Sequence, residues 1–460
     1  MIDRDLLASL ISVAKKAGVD YSDIFVEQRR SFVAELEDGK IERITTGVDI
    51  GAGLRVIIRG KTYYAYTNNL KHDNLKEIMK TLVNADKWTD DSYSLDLIEP
   101  LVDFSISLPP DEVSANKKVD LVVTADRVAR SESNKIKQVK AVYRDTMQDI
   151  LIANTDGIIA EDQRVYTVFL VQVVATDGKE IQTGYEPIGG LIGFELFEGT
   201  PVELVAKTAA SRAVMMLTAR KMPGGRMPVV ISSEAGGTMI HEAIGHGLEA
   251  DLAGQGLSVY SGKLGQQVAS EVVTVVDDAT LKNKRGSFRF DDEGTPSQRT
   301  VLVEKGVLVG YLYDRYNAMR EGKHSTGNGR RESYQHRPIP RMTNTFIEPG
   351  STDPQEIVKS IDRGLFVKKM GGGQVNTING DFVFEVQEGY LIEKGSIGEP
   401  VRGATITGNG PEVLKSIDLV GNDLGFAIGT CGKDGQGVPV SDAMPTIRVP
   451  EMVVGGEACL

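Results

Sequence analysis

Ser233-Glu-Ala-Gly-Gly-Thr-Met-Ile-His241-Glu242-Ala-Ile-Gly-His246-Gly-Leu-Glu249-Ala-Asp251 is the stretch around which this 460-residue chain can be read. It holds two of only five histidines, with a glutamate directly after the first. At this composition chance supplies about 0.004 windows of the form H-E-x-x-x-H, so coincidence is a poor account of it. The apolar run Pro228-Val-Val-Ile231 reads as a buried strand leading into it. Ser232 or Ser233 then offers a helix N-cap, and Met239, Ile240 and Ile244 supply the apolar side of the helix.

Two helical histidines with an intervening glutamate resemble the zinc-hydrolase motif, in which the imidazoles hold metal and the carboxylate handles water. The spacing departs from the common version. On an α-helix an i, i+4 pair sits about 40° apart, whereas i, i+5 falls about 140° apart, on different faces. His241 and His246 can share one metal only if the helix is deformed. A π-bulge would bring i and i+5 nearly into line, and Gly245 and Gly247 tolerate a distortion or a helix end. Residues 241–246 are therefore expected to leave regular α geometry.

At this length two domains are expected. Hydrophobic content of 41% with 25% charged residues is ordinary for a globular protein. The net charge of −12 and the lack of a dominant basic run argue against direct nucleic-acid binding. The short basic patches at 282–285 and 329–331 read as solvated loops. No apolar stretch approaches about 18 residues, so no membrane-spanning helix is expected. The start Met-Ile-Asp-Arg-Asp-Leu places an acid where a signal peptide carries positive charge, which points to the cytoplasm. Two cysteines, Cys431 and Cys459, do not make a disulfide framework, and Cys459 reads as incidental.

The fold class read from the pattern is α+β. Residues 1–222 form an N-terminal domain of helices and antiparallel hairpins, and 223–460 a β-rich C-terminal domain carrying the histidine helix. Helices are expected over 3–17, 73–85, from 112 onward and over 201–217, each from apolar spacing. Strands are expected at 23–28, 31–36, 41–44, 54–58 and 62–66, with paired strands again near 136–184. The order helix-then-hairpins thus occurs twice, which suggests an old duplication. Two prolines and two glycines in 221–228 mark the boundary. Beyond 251, short strands recur at 272–276, 300–303, 307–311, 381–386 and 389–392. The segment 320–345 has no apolar periodicity and reads as a long loop, functional or disordered.

A hydrolytic zinc takes three protein ligands. Beyond His241 and His246 the candidates are Glu249 and Asp251, close in sequence; His324 and His336, set among basic residues; and Cys431, in Gly429-Thr-Cys-Gly-Lys-Asp-Gly-Gln-Gly437, a glycine-flanked turn at the end of a β region. A lone cysteine is ordinarily a small buried hydrophobe, but these surroundings are not core-like.

His241-Glu-Ala-Ile-Gly-His-Gly-Leu-Glu249 resembles the signature of the TldD branch of the TldD/PmbA metallopeptidase family. The resemblance continues through Ser325-Thr-Gly-Asn-Gly329, Pro338-Ile-Pro-Arg-Met-Thr-Asn-Thr345, Gly371-Gly-Gly-Gln-Val375, Gly380-Asp-Phe382 and Arg402-Gly-Ala-Thr405. Cys431-Gly-Lys-Asp-Gly-Gln436 and Val453-Val-Gly-Gly456 complete it, while Ala250 and Ala443 stand where glycine is more usual. The resemblance implies zinc (Zn2+) held by His241, His246 and Cys431, with Glu242 as catalytic base. It also implies hydrolysis of small or unfolded polypeptides, in a dimer with a PmbA-type paralogous subunit, a homodimer being the alternative. The family's older label, modulator of DNA gyrase, finds no support in this acidic sequence. The expected function is thus a cytoplasmic zinc metallopeptidase with metal-activated water. Its rivals are a non-catalytic peptide-binding or assembly subunit with a structural zinc, and a zinc hydrolase of a non-peptide amide. Peptide entry is expected as an added strand beside Gly371-Gly-Gly373.

Overall fold

The structure is a computed structural model describing residues 2–84 and 93–456. Cys459 and the last residue of the helix expected at 73–85 lie outside the described residues. The first helix, α1 (Arg4–Lys16), starts where the Asp3 carboxylate caps the Asp5 amide. It leads into β1 (Tyr21–Glu37), β2 (Lys40–Ile58) and β3 (Lys61–Thr67), an antiparallel meander, and then α2 (His72–Val83). After the short β4 (Asp96–Leu97), α3 (Ala115–Glu132) is capped by Ser114 and followed by a second meander. Its strands are β5 (Ile136–Asn154), β6 (Ile158–Thr176) and β7 (Ile181–Leu191), and α4 (Val202–Thr218) follows.

The two meanders join edge to edge. β1 pairs antiparallel with β5 from Asp23↔Asn154 to Glu37↔Lys140, giving the order β3-β2-β1-β5-β6-β7. The repeated helix-then-hairpins order is thus visible in the topology, as two similar units about the β1–β5 seam. Strand alternation decides the layers. Ile24, Val26, Phe32, Ala34 and Leu36 share one face of β1 and are buried under the four helices. Phe25, on the opposite face, packs with Ile150 and Ile152 against Phe290 and Tyr334 of the later chain.

The strands expected at 23–28 and 31–36 are one strand of 17 residues, and 41–44 and 54–58 are parts of one strand of 19. The gaps between them, at 29–30 and 45–53, read as breaks in sequence. They are strand because the main-chain ladder continues through them whatever the side chains are.

The later chain forms two larger sheets. Its strands are β8 (Arg220–Lys221), β9 (Gly225–Ile231), β10 (Val275–Asp278), β11 (Arg299–Glu304), β12 (Val307–Leu308), β13 (Gly329–Arg330), β14 (Ile339–Pro340) and β15 (Asn344–Ile347). They continue with β16 (Arg363–Val375), β17 (Asp381–Glu393), β18 (Ser396–Arg402), β19 (Thr405–Asn409), β20 (Leu419–Val420), β21 (Gly425–Lys433), β22 (Gln436–Met444) and β23 (Ile447–Gly455). One sheet runs β16-β9-β23-β19-β17-β18-β8 with β20 on β23, the other β12-β11-β10-β15-β22-β21. Val229, Ile231 and Val367 of the first and Val275, Val438 and Val440 of the second belong to one apolar core. Met239, Ile240, Ala243, Ile244 and Leu248 of the histidine segment fill the same core, so the motif is built into the packing of the C-terminal half.

The fold is α+β with a strand-rich C-terminal half, as expected. The segment 320–345 differs from expectation: it contributes β13, β14 and the start of β15, and Asn328, Arg330, Arg331 and Arg341 are buried in it. Arg330 and Arg331 are not solvated, because carbonyls and carboxylates of both halves converge on them. No helix among the described residues is long and apolar enough to cross a membrane.

Candidate metal centre

β9 ends at Ile231, and the Ser232 hydroxyl accepts from the Glu234 amide, capping a single tight turn, Ser233–Ala235. Gly236 then takes a φ of 72°, and the helix proper starts only at Thr238. The serine expected to cap the histidine helix therefore caps the turn before it.

From His241 to Gly245 the chain is a π-helix: the His246 N–H donates to the His241 carbonyl, an i to i+5 bond. The wider turn brings the two imidazoles together, with ring centroids 4.9 Å apart and planes at 90°. Such a turn leaves carbonyls to be satisfied from outside. The Tyr260 hydroxyl donates to the Ala243 carbonyl (3.0 Å) and the Ser258 hydroxyl to the Gly247 carbonyl (2.6 Å). Gly245 and Gly247 are present for room rather than for backbone freedom. Gly245 has ordinary helical angles, and a Cβ there would lie 2.1 Å from the Met342 sulfur. A Cβ on Gly247 would lie 2.6 Å from the Tyr260 ring.

Cys431 reaches the same place from β21, in a strand rather than the turn its glycines suggested. Its Sγ stands 3.5 Å from His246 Nε2, and the nearest donor atoms of His241, His246 and Cys431 all lie within 4.8 Å of one another. Each imidazole is oriented from behind. Asp442 on β22 holds His241 Nδ1 at 2.8 Å, and Glu249 holds His246 Nδ1 at 3.0 Å, which leaves both Nε2 atoms facing the sulfur. Lys433 pairs with Glu249 (3.0 Å) and Asp251 (2.7 Å).

Charge in the cluster follows from these contacts. Burial lowers both imidazoles, but Asp442 and Glu249 outweigh it and raise them, His246 to about 9. Burial raises the Cys431 thiol, yet the hydrogen bonds and charges of the two histidines draw it down to about 5. Burial also raises Glu249, and Lys433 and His246 overcome it, holding the carboxylate at about 2. Burial raises Glu242, an effect only partly offset by the histidines beside it. A thiolate and two basic imidazole nitrogens converging from two elements are a donor set that fits one soft or borderline metal ion.

A cleft of about 450 Å3 opens over this group, with Glu242 in its wall and residues 428–434, of β21 and the turn after it, along one side. Glu249 and Asp251, which the sequence offered as ligands, stand behind the donors instead. His324 is exposed, and His336 meets the Ser333 hydroxyl; neither belongs to the donor group. Asp442 and its role are not visible in sequence. It lies 201 residues from His241, and nothing in its neighbours marks it.

Three family models match the chain in succession: PmbA/TldA metallopeptidase domain 1 over 22–85, the central domain over 108–217 and the C-terminal domain over 224–456. A Haemophilus influenzae protein named metalloprotease TldD homolog is 37% identical, over 98% of this chain and 96% of its own. A Methanothermobacter thermautotrophicus metalloprotease is 35% identical over 99% of both. Among solved structures, TldE from Thermococcus kodakarensis has the same fold at 20% identity, with a TM-score of 0.77 over 98% of this chain and 100% of that one. The segments matched, the full-length relatives and the shared fold have one common reading, that this chain belongs to the PmbA/TldD metallopeptidase family.

Proposed function

We propose that this chain is a zinc-dependent peptidase acting on small or unfolded polypeptides, with His241, His246 and Cys431 as ligands and Glu242 as general base. The observation that carries the reading is the π-turn that brings His241 and His246 together opposite Cys431. Tetrahedral zinc with Zn–N of about 2.05 Å and Zn–S of about 2.3 Å separates a nitrogen from a sulfur ligand by about 3.6 Å. The 3.5 Å between Cys431 Sγ and His246 Nε2 suits that edge.

When bound, zinc supplies a Lewis acid that polarises the scissile carbonyl and lowers the pKa of water towards about 7. The protein groups do the rest. Asp442 and Glu249 fix the tautomer and aim of the imidazoles. Glu242, in the wall of the cleft, takes the proton of the attacking water and delivers it to the leaving amine.

β21 is the edge strand of its sheet and lines the cleft, which supports extended-peptide binding by main-chain pairing. Gly371-Gly-Gly373, the stretch first considered for this, lies within β16, where a Cβ on Gly373 would meet the Phe384 ring at 1.8 Å. We assign the pairing edge to β21 instead. Unstructured peptides of unrelated sequence should then inhibit one another's cleavage, and a stable folded protein should not compete.

We also propose a dimer with a PmbA-type paralogue. The outer half of β2 carries exposed Ile41, Ile44 and Val48, and β3 pairs only from residue 52 onward, so this edge is open for a partner. The test of function is Glu242→Gln: it should keep its zinc by metal analysis and lose at least about 10²-fold in turnover. Unchanged hydrolysis by that variant removes Glu242 from the mechanism.

A further inference from the structure

A second cavity, of about 270 Å3, lies where β5 and β6 of the first sheet meet the β21–β22 hairpin, and Thr430 lines both it and the metal cleft. Arginines dominate its walls: Arg29, Arg144, Arg164, Arg285, Arg330 and Arg331, against the carboxylates Asp292 and Glu332. Two of the arginines are answered locally, Arg164 by Asp162 and Asp292, and Arg331 by Asp23.

The others are not. Arg330 is 2% exposed and, among the described residues, donates to the carbonyls of Met342 and Pro439, with its guanidinium over the Phe288 ring. Arg285 Nη1 donates to the Gly429 carbonyl and, at 3.2 Å, to the Thr430 hydroxyl, while its Nε is buried without a partner among the described residues. Tyr166, 8% exposed, also lines the cavity, and its hydroxyl is buried with no partner among the described residues. The two carboxylates already accept from other groups of the wall: Asp292 from Arg164 and the Arg331 amide, and Glu332 from the Gly437 amide. Burial, with little opposing charge, lowers Arg285 and takes Arg330 to about 10. Buried donors without acceptors are costly, and arginine forks suit the oxygens of a carboxylate or phosphate.

We propose that this cavity is an oxyanion-binding site that takes one carboxylate or phosphate group, held by Tyr166 and Arg285 from within and by the exposed Arg144 at its rim. The volume falls just below the about 300–1,000 Å3 of sites for drug-sized ligands, so it suits a small anion or the charged end of a larger molecule. No metal ligand lines it, and the proposal stands whether or not the chain is a peptidase.

The test is calorimetric and thermal titration of the full chain with inorganic phosphate and, separately, succinate, each against chloride at matched ionic strength. Phosphate stabilises many proteins by exclusion, without saturating, so the criterion is saturation together with sensitivity to substitution. Wild type should give a saturable response to at least one anion. Succinate binding alone or displacing phosphate identifies a carboxylate site, and phosphate binding unaffected by succinate a phosphate site. Tyr166→Phe should unfold in chloride no earlier than wild type, because it removes an unpartnered buried hydroxyl, yet bind the anion at least about tenfold more weakly. Arg144→Gln, a change at an exposed position, should fold normally and weaken binding in the same sense. No saturable response to either anion, or both variants titrating like wild type, overturns the proposal.

Discussion

Asp442 and Glu249 each hold the Nδ1 of a proposed ligand, so their removal tests the site without touching a donor atom. Asp442→Asn should lower zinc affinity by about 10–100-fold, the usual cost of losing a carboxylate behind a metal-bound histidine. Competition with a chromogenic chelator measures it; an unchanged affinity would mean that His241 is oriented by the π-turn alone. At this scale the sequence was informative where chemistry is concentrated in a short motif. His241, Glu242 and His246 stood out by spacing, and Cys431 by its glycine-rich setting. Asp442 did not, because its role comes from the register that sets β22 beside the histidine segment. Arg330 and Arg331 misled, since a polar run in sequence does not reveal that its charges are met by groups far away in the chain.

The π-turn at His241–Gly245 is the element on which the site depends. Its deformation was legible from the i, i+5 spacing, but its support was not. The turn is held by Tyr260 and by the approach of Met342 to Gly245, and neither leaves a sequence signal. Gly245→Ala should therefore destabilise the fold by about 1–3 kcal/mol through overpacking against Met342, and weaken zinc binding with it. Denaturant titration reads the first effect and metal analysis the second. Pairing it with Met342→Ala should recover part of the zinc affinity by making room; failure to recover any would place the role of Gly245 elsewhere. Helices were the elements best read in advance, because caps such as Asp3 and Ser114 and an apolar stripe are local features. The long strands β1 and β2 were read in fragments, since a ladder between main chains carries through residues of any polarity.

Across the whole molecule, the first sheet and its helices meet the C-terminal sheets through buried ion pairs. Arg212 of α4 donates to Glu388 of β17 at 2.7 Å, and Lys368 stands 3.2 Å from the same carboxylate. Burial raises Glu388, but Arg212 outweighs it and holds the group below the ordinary range. Its folded pKa is thus below the unfolded value of about 4.3, so its contribution is present in full above that pH and is lost as pH falls through the lowered value. Arg212→Ala should cost on the order of 3 kcal/mol, the low end for a broken buried pair because Lys368 remains, and should move acid unfolding to higher pH. Circular dichroism across an acid titration checks both; coincident curves would mean that this pair does not stabilise the junction. We propose a domain boundary at 222/223: brief proteolysis should cut first in 221–228 if the two parts fold as separate units.

Everything proposed for the site turns on whether the π-turn lets His241 and His246 share one zinc with Cys431. X-ray absorption at the zinc edge of the metal-loaded protein tests it most directly. The expected shell is one sulfur at about 2.3 Å and two imidazole nitrogens at about 2.0–2.1 Å, with the sulfur signal lost in Cys431→Ser. A shell without sulfur, or with a single imidazole, would contradict it.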